Sequence, residues 1–477
     1  MQLLFADQLG PHFIVDQKIL LPEVLSQFKK REYHRQKAHL ILYAIRSRAQ
    51  DPGVELVSID NYRSLKERSD LTAAVNPTSY ALRRLVDSLG VQVLQSKGFC
   101  SSEQQFADFA SAGKQLRLEN FYRQQRKRLG LLMQGDEPMG GRWNFDSDNR
   151  LPPPKQGLGL PEPYWPEQDA LDEEVRATLD ELERQGVRFR GEDGPRRFAG
   201  NREQALRALD DFIENRLDLF GPYEDAIDSK DSWMAHSMLS APMNLGLLDP
   251  LEVARAAQEA YLAGKARLES VEGFIRQVIG WRDYVWHLYW HFGEDYTELN
   301  RLGAAISVPE SWKRLDGDQI SAQCLSSTIG EVAKNGWAHH IPRLMILGNI
   351  ALQRGYNPRE VNDWFIDSFV DGTPWVMPAN VIGMSLYADG GQMSTKPYAA
   401  GGAYIDRMSN HCGSCQFNPK KRVGEDACPI TAGYWFFMEN NRESLKSNFR
   451  LRNAYAGLSR LTDLEALMEQ ELNRKRL

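Results

Sequence analysis

The sequence predicts two joined architectures: an α/β N-terminal domain built on a doubly wound parallel sheet, and a large all-helical domain carrying a four-cysteine centre. Three observations predict this. At the start of the chain, short apolar runs alternate with helical stretches, the pattern of a parallel sheet with crossover helices. From Asn201 onward helical spacing persists almost to the end, with Asp or Ser at starts and Gly at stops. Within that helical part, three of the chain's five cysteines stand as C-x2-C-x12-C-P at Cys412, Cys415 and Cys428.

Taken in order, Gln2–Ala6 reads as an apolar strand ending at Asp7-Gln8, where a parallel sheet presents polar groups to a ligand. Ile19–Leu21, Val54–Ile59 and Val91–Leu94 read as further strands, and Arg31–Ala49 and Ala81–Leu89 as helices. No G-x-G-x-x-G follows any strand, so the dinucleotide-binding fingerprint is absent. Glu119–Leu132 is basic and helical, and its simplest reading is a solvated face. From 135 to 200 the composition turns to Pro and Gly, with Pro152-Pro153-Pro154 at its centre, and predicts a connector draped over a domain surface. The expected division is 1–134, 135–200 and 201–477.

Composition narrows the class. A chain of 477 residues is too long for one core. Hydrophobics at 42% and charged residues at 26% are ordinary for a soluble globular protein. No apolar stretch is long enough for a transmembrane helix, and Met1–Gln8 lacks the pattern of a signal peptide. A cytoplasmic monomer with no membrane partner is the expectation, and there cysteines bind metal more often than they form disulfides. The net charge of -6 argues against a uniformly basic coat for nucleic acid. A local basic groove is compatible with it, since residues 396–477 carry 13 Lys/Arg against 9 Asp/Glu.

The cysteine pattern carries the sharpest chemistry. A C-x-x-C turn presents two thiolates to one metal centre, and Cys428-Pro429 with the distant Cys324 completes a set of four. Tetrahedral zinc and a [4Fe–4S] cluster both fit; the lone Cys-Pro and the remote ligand favour the cluster. Cys100 is left over.

Other constellations are weaker alone. Ser237 and Ser240 near a helix start suit either capping or a phosphate. Glu272–Tyr284 mixes cations with aromatics on an amphipathic helix, a pattern of buried ion pairs and also of base stacking. His339 and His340, being adjacent, cannot face the same way on a helix and make a poor metal pair. His340 and Arg343 do share a face and suit an anionic or proton-accepting ligand.

Together these residues resemble a known family. Asp7-Gln8-Leu9, His236-Ser237-x-Leu239-Ser240, the Glu272–Arg282 run, His339-His340-x-x-Arg343, Gly348-Asn349, Asn380-Val381-x-Gly383, Lys396-Pro397-Tyr398 and Tyr404-Ile405-x-Arg407 resemble the photolyase/cryptochrome superfamily. The similarity is greatest to its iron–sulfur bacterial branch, the prokaryotic (6-4) photolyases, and is dense from about Glu119 to Arg452.

The resemblance implies light-dependent repair of (6-4) pyrimidine–pyrimidone photoproducts in UV-damaged DNA. FAD would lie in the helical domain. His236, Ser237, Met238, Leu239 and Ser240 would hold its phosphate side, and Glu272, Arg276, Arg343, Asn349 and Asn380 the rest. Cys324, Cys412, Cys415 and Cys428 would hold a [4Fe–4S] cluster. A 6,7-dimethyl-8-ribityllumazine antenna would lie by Asp7, Gln8 and Ile41. His340, with His339 beside it, would supply a proton; Trp281, Tyr398 and Tyr404 would line the pocket for a flipped lesion. Arg282, Lys396 and Arg407 would contact phosphates.

One departure concerns electron transfer. Trp364 fits the family position nearest the flavin, but Phe365 follows where a tyrosine is usual, and Leu315–Asp318 lacks an expected tryptophan. Trp312 or Trp375 is the substitute. The alternatives are a cryptochrome-like blue-light receptor and a cyclobutane-dimer photolyase; the His339-His340 pair favours the (6-4) lesion.

Overall fold

In the computed structural model, residues 1–477 are described apart from 17, 113–115 and 475–476. Five strands, β1 (Gln2–Leu3), β2 (Ile19–Glu23), β3 (Val54–Ser58), β4 (Ala73–Val75) and β5 (Gln92–Leu94), form one sheet in the order β3-β2-β1-β4-β5. Every pairing is parallel, with Gln2 opposite both Ile19 and Ala73. The doubly wound sheet is therefore as expected. The sequence reading missed β4, because three small apolar residues after a polar turn carry no visible alternation.

Strand order reverses between β1 and β4, so the crevice beyond their carboxyl ends is the switch point at which open α/β sheets bind ligands. Helix α1 (Arg35–Arg48) starts four residues later than expected, at His34, whose ring accepts the Gln36 N–H. Helices α2 (Tyr80–Leu89), α3 (Glu103–Ser111) and α4 (Leu118–Leu129) follow.

The stretch 135–200 is more than a draped connector. It contains helix α5 (Ala170–Arg184), started by an Asp169/Asp172 capping box. Leu171, Val175, Leu179 and Leu182 bury a stripe against Phe28, Ala38, Leu42 and Tyr43. Asp172, fully buried, accepts from both His39 and Arg196 at 2.8 Å, which holds its carboxyl well below the usual range. The density of proline on either side hides this helix in the sequence.

The remaining chain is helical and encloses one large core that includes Trp312, Ile329, Trp364 and Phe437. It is tied to the α/β part by charged contacts: Arg31 binds Asp363 and Asp367, and the Lys37 ammonium donates to the Ile366 and Gly372 carbonyls. Three stretches wind as π-helix, Arg276–Arg282, Pro342–Gly348 and Ala379–Ser385. Such turns are rare and concentrate at functional sites. They carry Arg276, Arg343 and Asn380. Among the described residues no helix is long and apolar enough to cross a membrane.

Candidate functional site: a cysteine cavity and a histidine mouth

Cys324, Cys412, Cys415 and Cys428 line a single small cavity. Cys324 opens the helix Gln323–Asn335, Cys412 and Cys415 flank one tight turn, and Cys428 precedes the helix Pro429–Asn440. The other walls are mostly apolar, with Ala322, Ile405, Phe417 and Ile430, and include His411. Burial first, then the neighbouring thiols, push Cys324 well above the ordinary thiol range, and burial pushes Cys412 up to about 12. Thiols so placed ionise only beside a positive centre.

The second site is polar and is assembled from many segments. The Trp337–His339 stretch lies outside any helix or strand, and the helix starts only at His340. That break lets adjacent imidazoles converge, which corrects the expectation that they face apart. His339 stacks on His236, with ring centroids 4.2 Å apart, while His340 lies 5.6 Å from His236 and 5.9 Å from His339. His236 and His339 are buried, and burial drives both well below the ordinary imidazole range, so they are neutral. The His340 side chain is 52% exposed, and its Nε2 lies 3.5 Å from Asp225 Oδ1.

Glu224, next to Asp225, turns the other way toward Arg276. The Arg276 guanidinium lies 3.2 Å from Asp146, 3.5 Å from Glu272 and 3.8 Å from Glu224. Burial raises Glu224 to about 8, with Arg276 offsetting only part of the effect. Tyr398 and Tyr404 both feel the charge of Asp225; Tyr398 is 39% exposed, and burial pushes Tyr404 up to about 12. Asp225, Glu224 and Asp146 escaped the sequence reading because isolated acids beside turns look like surface charge.

The sequence of a (6-4) photolyase from Agrobacterium fabrum is 39% identical over 491 aligned residues, covering 97% of this chain and 96% of that protein. The chain belongs to the bacterial (6-4) photolyase branch of the photolyase/cryptochrome family. A family model for deoxyribodipyrimidine photo-lyase-related proteins matches residues 3–191. The fold agrees. A crystal structure of a bacterial class III photolyase from Agrobacterium tumefaciens superposes with TM-score 0.56 at 16% identity, covering 96% of this chain and 98% of the other. A Synechocystis cryptochrome gives TM-score 0.55 at 10% identity over 93% of both chains.

Membership in this photolyase family implies FAD, and the mouth has the chemistry to receive a large polar ligand. His236 Nε2, both His339 nitrogens and Glu224 Oε2 are buried without a hydrogen-bond partner, and Arg276 Nε meets Glu272 Oε1 only as an ion pair at 3.5 Å. Orphans of this kind are rare and costly, at about 1–3 kcal/mol each, and their concentration in one place fits a bound group.

Several predicted cofactor residues are engaged within the protein. Ser240 Oγ donates to Asp371 at 2.7 Å, Arg343 binds the same carboxylate at 2.8 Å, and the helix that Ser240 begins spans only Ser240–Asn244. Ser237 Oγ accepts only a long 3.4 Å contact from the Leu239 N–H. Met238 adopts φ 50° and Leu239 is fully buried. Asn349 pairs through both amide atoms with the Ala400 backbone, at 2.9 and 3.1 Å, and so fixes the approach to Tyr398 and Tyr404. Asn380 Nδ2 donates to Val376 O in the turn before its π-helix. Trp281 packs near Tyr284 at 6.5 Å, among the aromatics around Phe106 and Trp286.

Arg282 is a correction. Its guanidinium donates to Gly98 O at 2.6 Å and Met243 O at 3.2 Å, and lies over the Phe99 and Trp375 rings. Burial lowers it to about 10. Its two terminal nitrogens are thus turned onto carbonyls inside the protein, while Nε has no partner. Lys396 and Arg407 are exposed, and Arg407 lies 5.7 Å from the Tyr404 ring.

The two candidate tryptophans are placed differently. Trp312 lies 5.1 Å from Trp364, whose Nε1 donates to Trp312 O at 2.8 Å, and Tyr356 lies 5.6 Å beyond. Trp375 instead packs on Phe99. At the sheet's switch point, Thr78 donates to Asp7, and Gln8 Nε2 reaches Val75 O and Asn76 O at 3.4 Å. Asp7 Oδ1 is buried and unpaired, and burial raises this carboxyl. Ile41 sits on α1, half-buried against the core shared with Leu4 and Leu21.

Proposed function

We propose that the protein repairs (6-4) pyrimidine–pyrimidone photoproducts in DNA under blue light. The observation that carries this reading is the histidine mouth: two buried neutral imidazoles beneath a third that reaches both solvent and a carboxylate. FAD, when bound and reduced, would supply the light-driven electron chemistry that weakens the bond joining the two pyrimidines. Repair also needs a proton as the displaced hydroxyl returns to its own base. Of the three rings only His340 is placed to give it, because burial keeps His236 and His339 uncharged. Asp225, at 3.5 Å, orients the His340 ring, and His339 supports it from behind.

Tyr398 and Tyr404 flank the flipped dinucleotide, with Trp281 on the farther wall, while exposed Lys396 and Arg407 take phosphates. Arg276 and Arg343, each held by carboxylates, supply fixed positive charge to FAD, with Ser237, Met238 and Leu239 beneath it. Ser240, Glu272, Asn349 and Asn380 support this set through the bonds they already make. His236 belongs with the proton-donating group more than with the cofactor. Trp364 and Trp312 carry electrons inward from Tyr356. The lumazine antenna occupies the switch point beside Asp7 and Gln8, with Ile41 behind.

The cysteine cavity holds a [4Fe–4S] cluster in this reading. A single zinc with sulfurs at about 2.3 Å would draw them to within roughly 3.8 Å of each other. Among the described residues, the set of three metal-capable side chains whose ligand atoms lie within 4.8 Å of one another contains no cysteine. A wider, mostly apolar cavity suits a multi-atom cluster whose role is to tie three helices together. The protein acts as a cytoplasmic monomer.

The test presents reduced, illuminated protein with oligonucleotides carrying a single (6-4) photoproduct or a single cyclobutane dimer. Restoration of the first and not the second is expected. Repair of the dimer alone, or of neither, would reject the assignment.

A further inference from the structure

Outside both sites lies an aromatic ring with no evident work in the fold. Among the described residues only two Phe, Tyr or Trp side chains are exposed: Tyr398 at the mouth, and Phe449, which is 72% exposed. A single exposed apolar residue is ordinary, but this one is held in place. Phe449 opens the short turn Phe449–Leu451, and Leu445 and Leu451 on either side are buried. Asn448 caps the turn by accepting from the Arg450 N–H at 3.0 Å, and its Nδ2 donates to Thr395 O at 3.0 Å. That second bond ties the turn to the segment leading to the mouth, since the chain from Thr395 to Tyr398 spans at most about 11 Å. Cations surround the ring. Residues 444–462 include Lys446, Arg450, Arg452 and Arg460 and no Asp or Glu. The Arg450 guanidinium lies 5.3 Å from the Phe449 ring centroid. Arg450, Arg452 and Lys396 are exposed, and none of them pairs with a carboxylate among the described residues.

We propose that Phe449 is a stacking platform for duplex DNA. Its ring covers a base of the strand opposite the lesion, where the damaged dinucleotide has left the stack, and Arg450 and Arg452 take that strand's phosphates. This assignment rests on the repair reading above: the mouth receives the damaged strand, and the Phe449 turn the other. Flipping a dinucleotide leaves the opposite bases without partners, and an aromatic face on one of them offsets part of the unstacking cost. The surroundings favour nucleic acid over a protein partner. A protein-docking surface gathers several apolar side chains at its centre, whereas here one ring stands among unpaired cations, the combination that holds unpaired bases and their backbone.

The experiment uses the full chain loaded with flavin and cluster, in the dark. Its probes are a (6-4) oligonucleotide as a single strand, and the same strand in a duplex with 2-aminopurine opposite the lesion. Phe449→Ala should weaken duplex binding about tenfold and leave single-strand binding within about twofold. Bound 2-aminopurine should brighten as it loses the ring, and Phe449→Trp should restore both readings. Arg450→Gln should reduce the salt slope of duplex binding by about one. Leu472→Ala, equally exposed on the last helix, should behave as wild type. A loss as large on the single strand as on the duplex, or no loss on either, would overturn the platform, while wild-type repair of the lesion keeps the (6-4) assignment standing. A wild type that binds neither lesion form better than undamaged DNA would overturn both. Unchanged DNA binding with altered sedimentation in Phe449→Ala would give the surface to a protein contact instead and likewise end the proposal.

Discussion

The cysteine cavity and the histidine mouth lie in the same helical domain and are built on opposite terms. The cavity is largely apolar, lined by four like groups, and drawn mostly from one short stretch plus Cys324. The mouth is polar and mixed, drawn from Asp146, Glu224, Asp225, His236, Arg276, His339, His340 and the Tyr398–Tyr404 turn. A centre that holds the fold together needs only ligands and a dry wall. A centre that moves a proton needs groups of opposite character kept from neutralising each other, and the buried, unpaired atoms at the mouth record that requirement.

If this contrast is right, the largest effect belongs to the cavity. Cys324→Ser should abolish iron and sulfide content and lower stability by several kcal/mol, leaving much of the protein insoluble. Iron analysis and thermal unfolding check it; a variant that keeps its iron and melts normally would move Cys324 out of the centre. Arg282→Gln comes next. It removes two carbonyl bonds and the contacts with Phe99 and Trp375, for a loss of about 3 kcal/mol. The salt dependence of DNA affinity should not change, whereas a slope reduced by about one would return Arg282 to the phosphate contacts.

Trp312→Phe sharpens the comparison in a third place, since it touches neither centre. Photoreduction of the bound flavin by an external thiol should slow at least tenfold, while repair by chemically reduced protein stays within about twofold of wild type. Unchanged photoreduction would send the route elsewhere.

The smallest effect is on pH dependence. Glu224, raised to about 8 by burial, keeps its proton in the folded chain where the unfolded chain has lost it. Its stabilising contribution is whole below about pH 4.5 and is lost as pH rises through 8. Glu224→Gln should therefore flatten the fall in Tm between about pH 5 and 8 and raise Tm at pH 8 by a few degrees. An unchanged slope would mean that Glu224 is ionised beside Arg276 throughout.

How far the sequence could be read follows the same divide. The Cys412–Cys428 spacing is local, so the centre was visible without a fold, and the parallel sheet was visible from alternating runs. Asp7 and Gln8 could be placed at a strand end, although the missed strand Ala73–Val75 is what makes that end a switch point. The mouth was legible only through family resemblance, which supplied His340 but neither Asp225 nor Glu224. Two adjacent histidines were judged by helix geometry, and His339, which lies just before the helix that begins at His340, escapes that rule. Arg282 failed for a related reason: an arginine beside a tryptophan looks the same in sequence whether it meets DNA or a pair of buried carbonyls.

The central claim is that His340 supplies the proton for repair. It is tested most directly by following repair of an oligonucleotide with one (6-4) photoproduct by reduced His340→Ala protein under blue light. Because the side chain is half exposed, folding and flavin content should stay near wild type, while repair should fall by about 100-fold or more. Repair at the wild-type rate in a fully loaded variant would contradict the account.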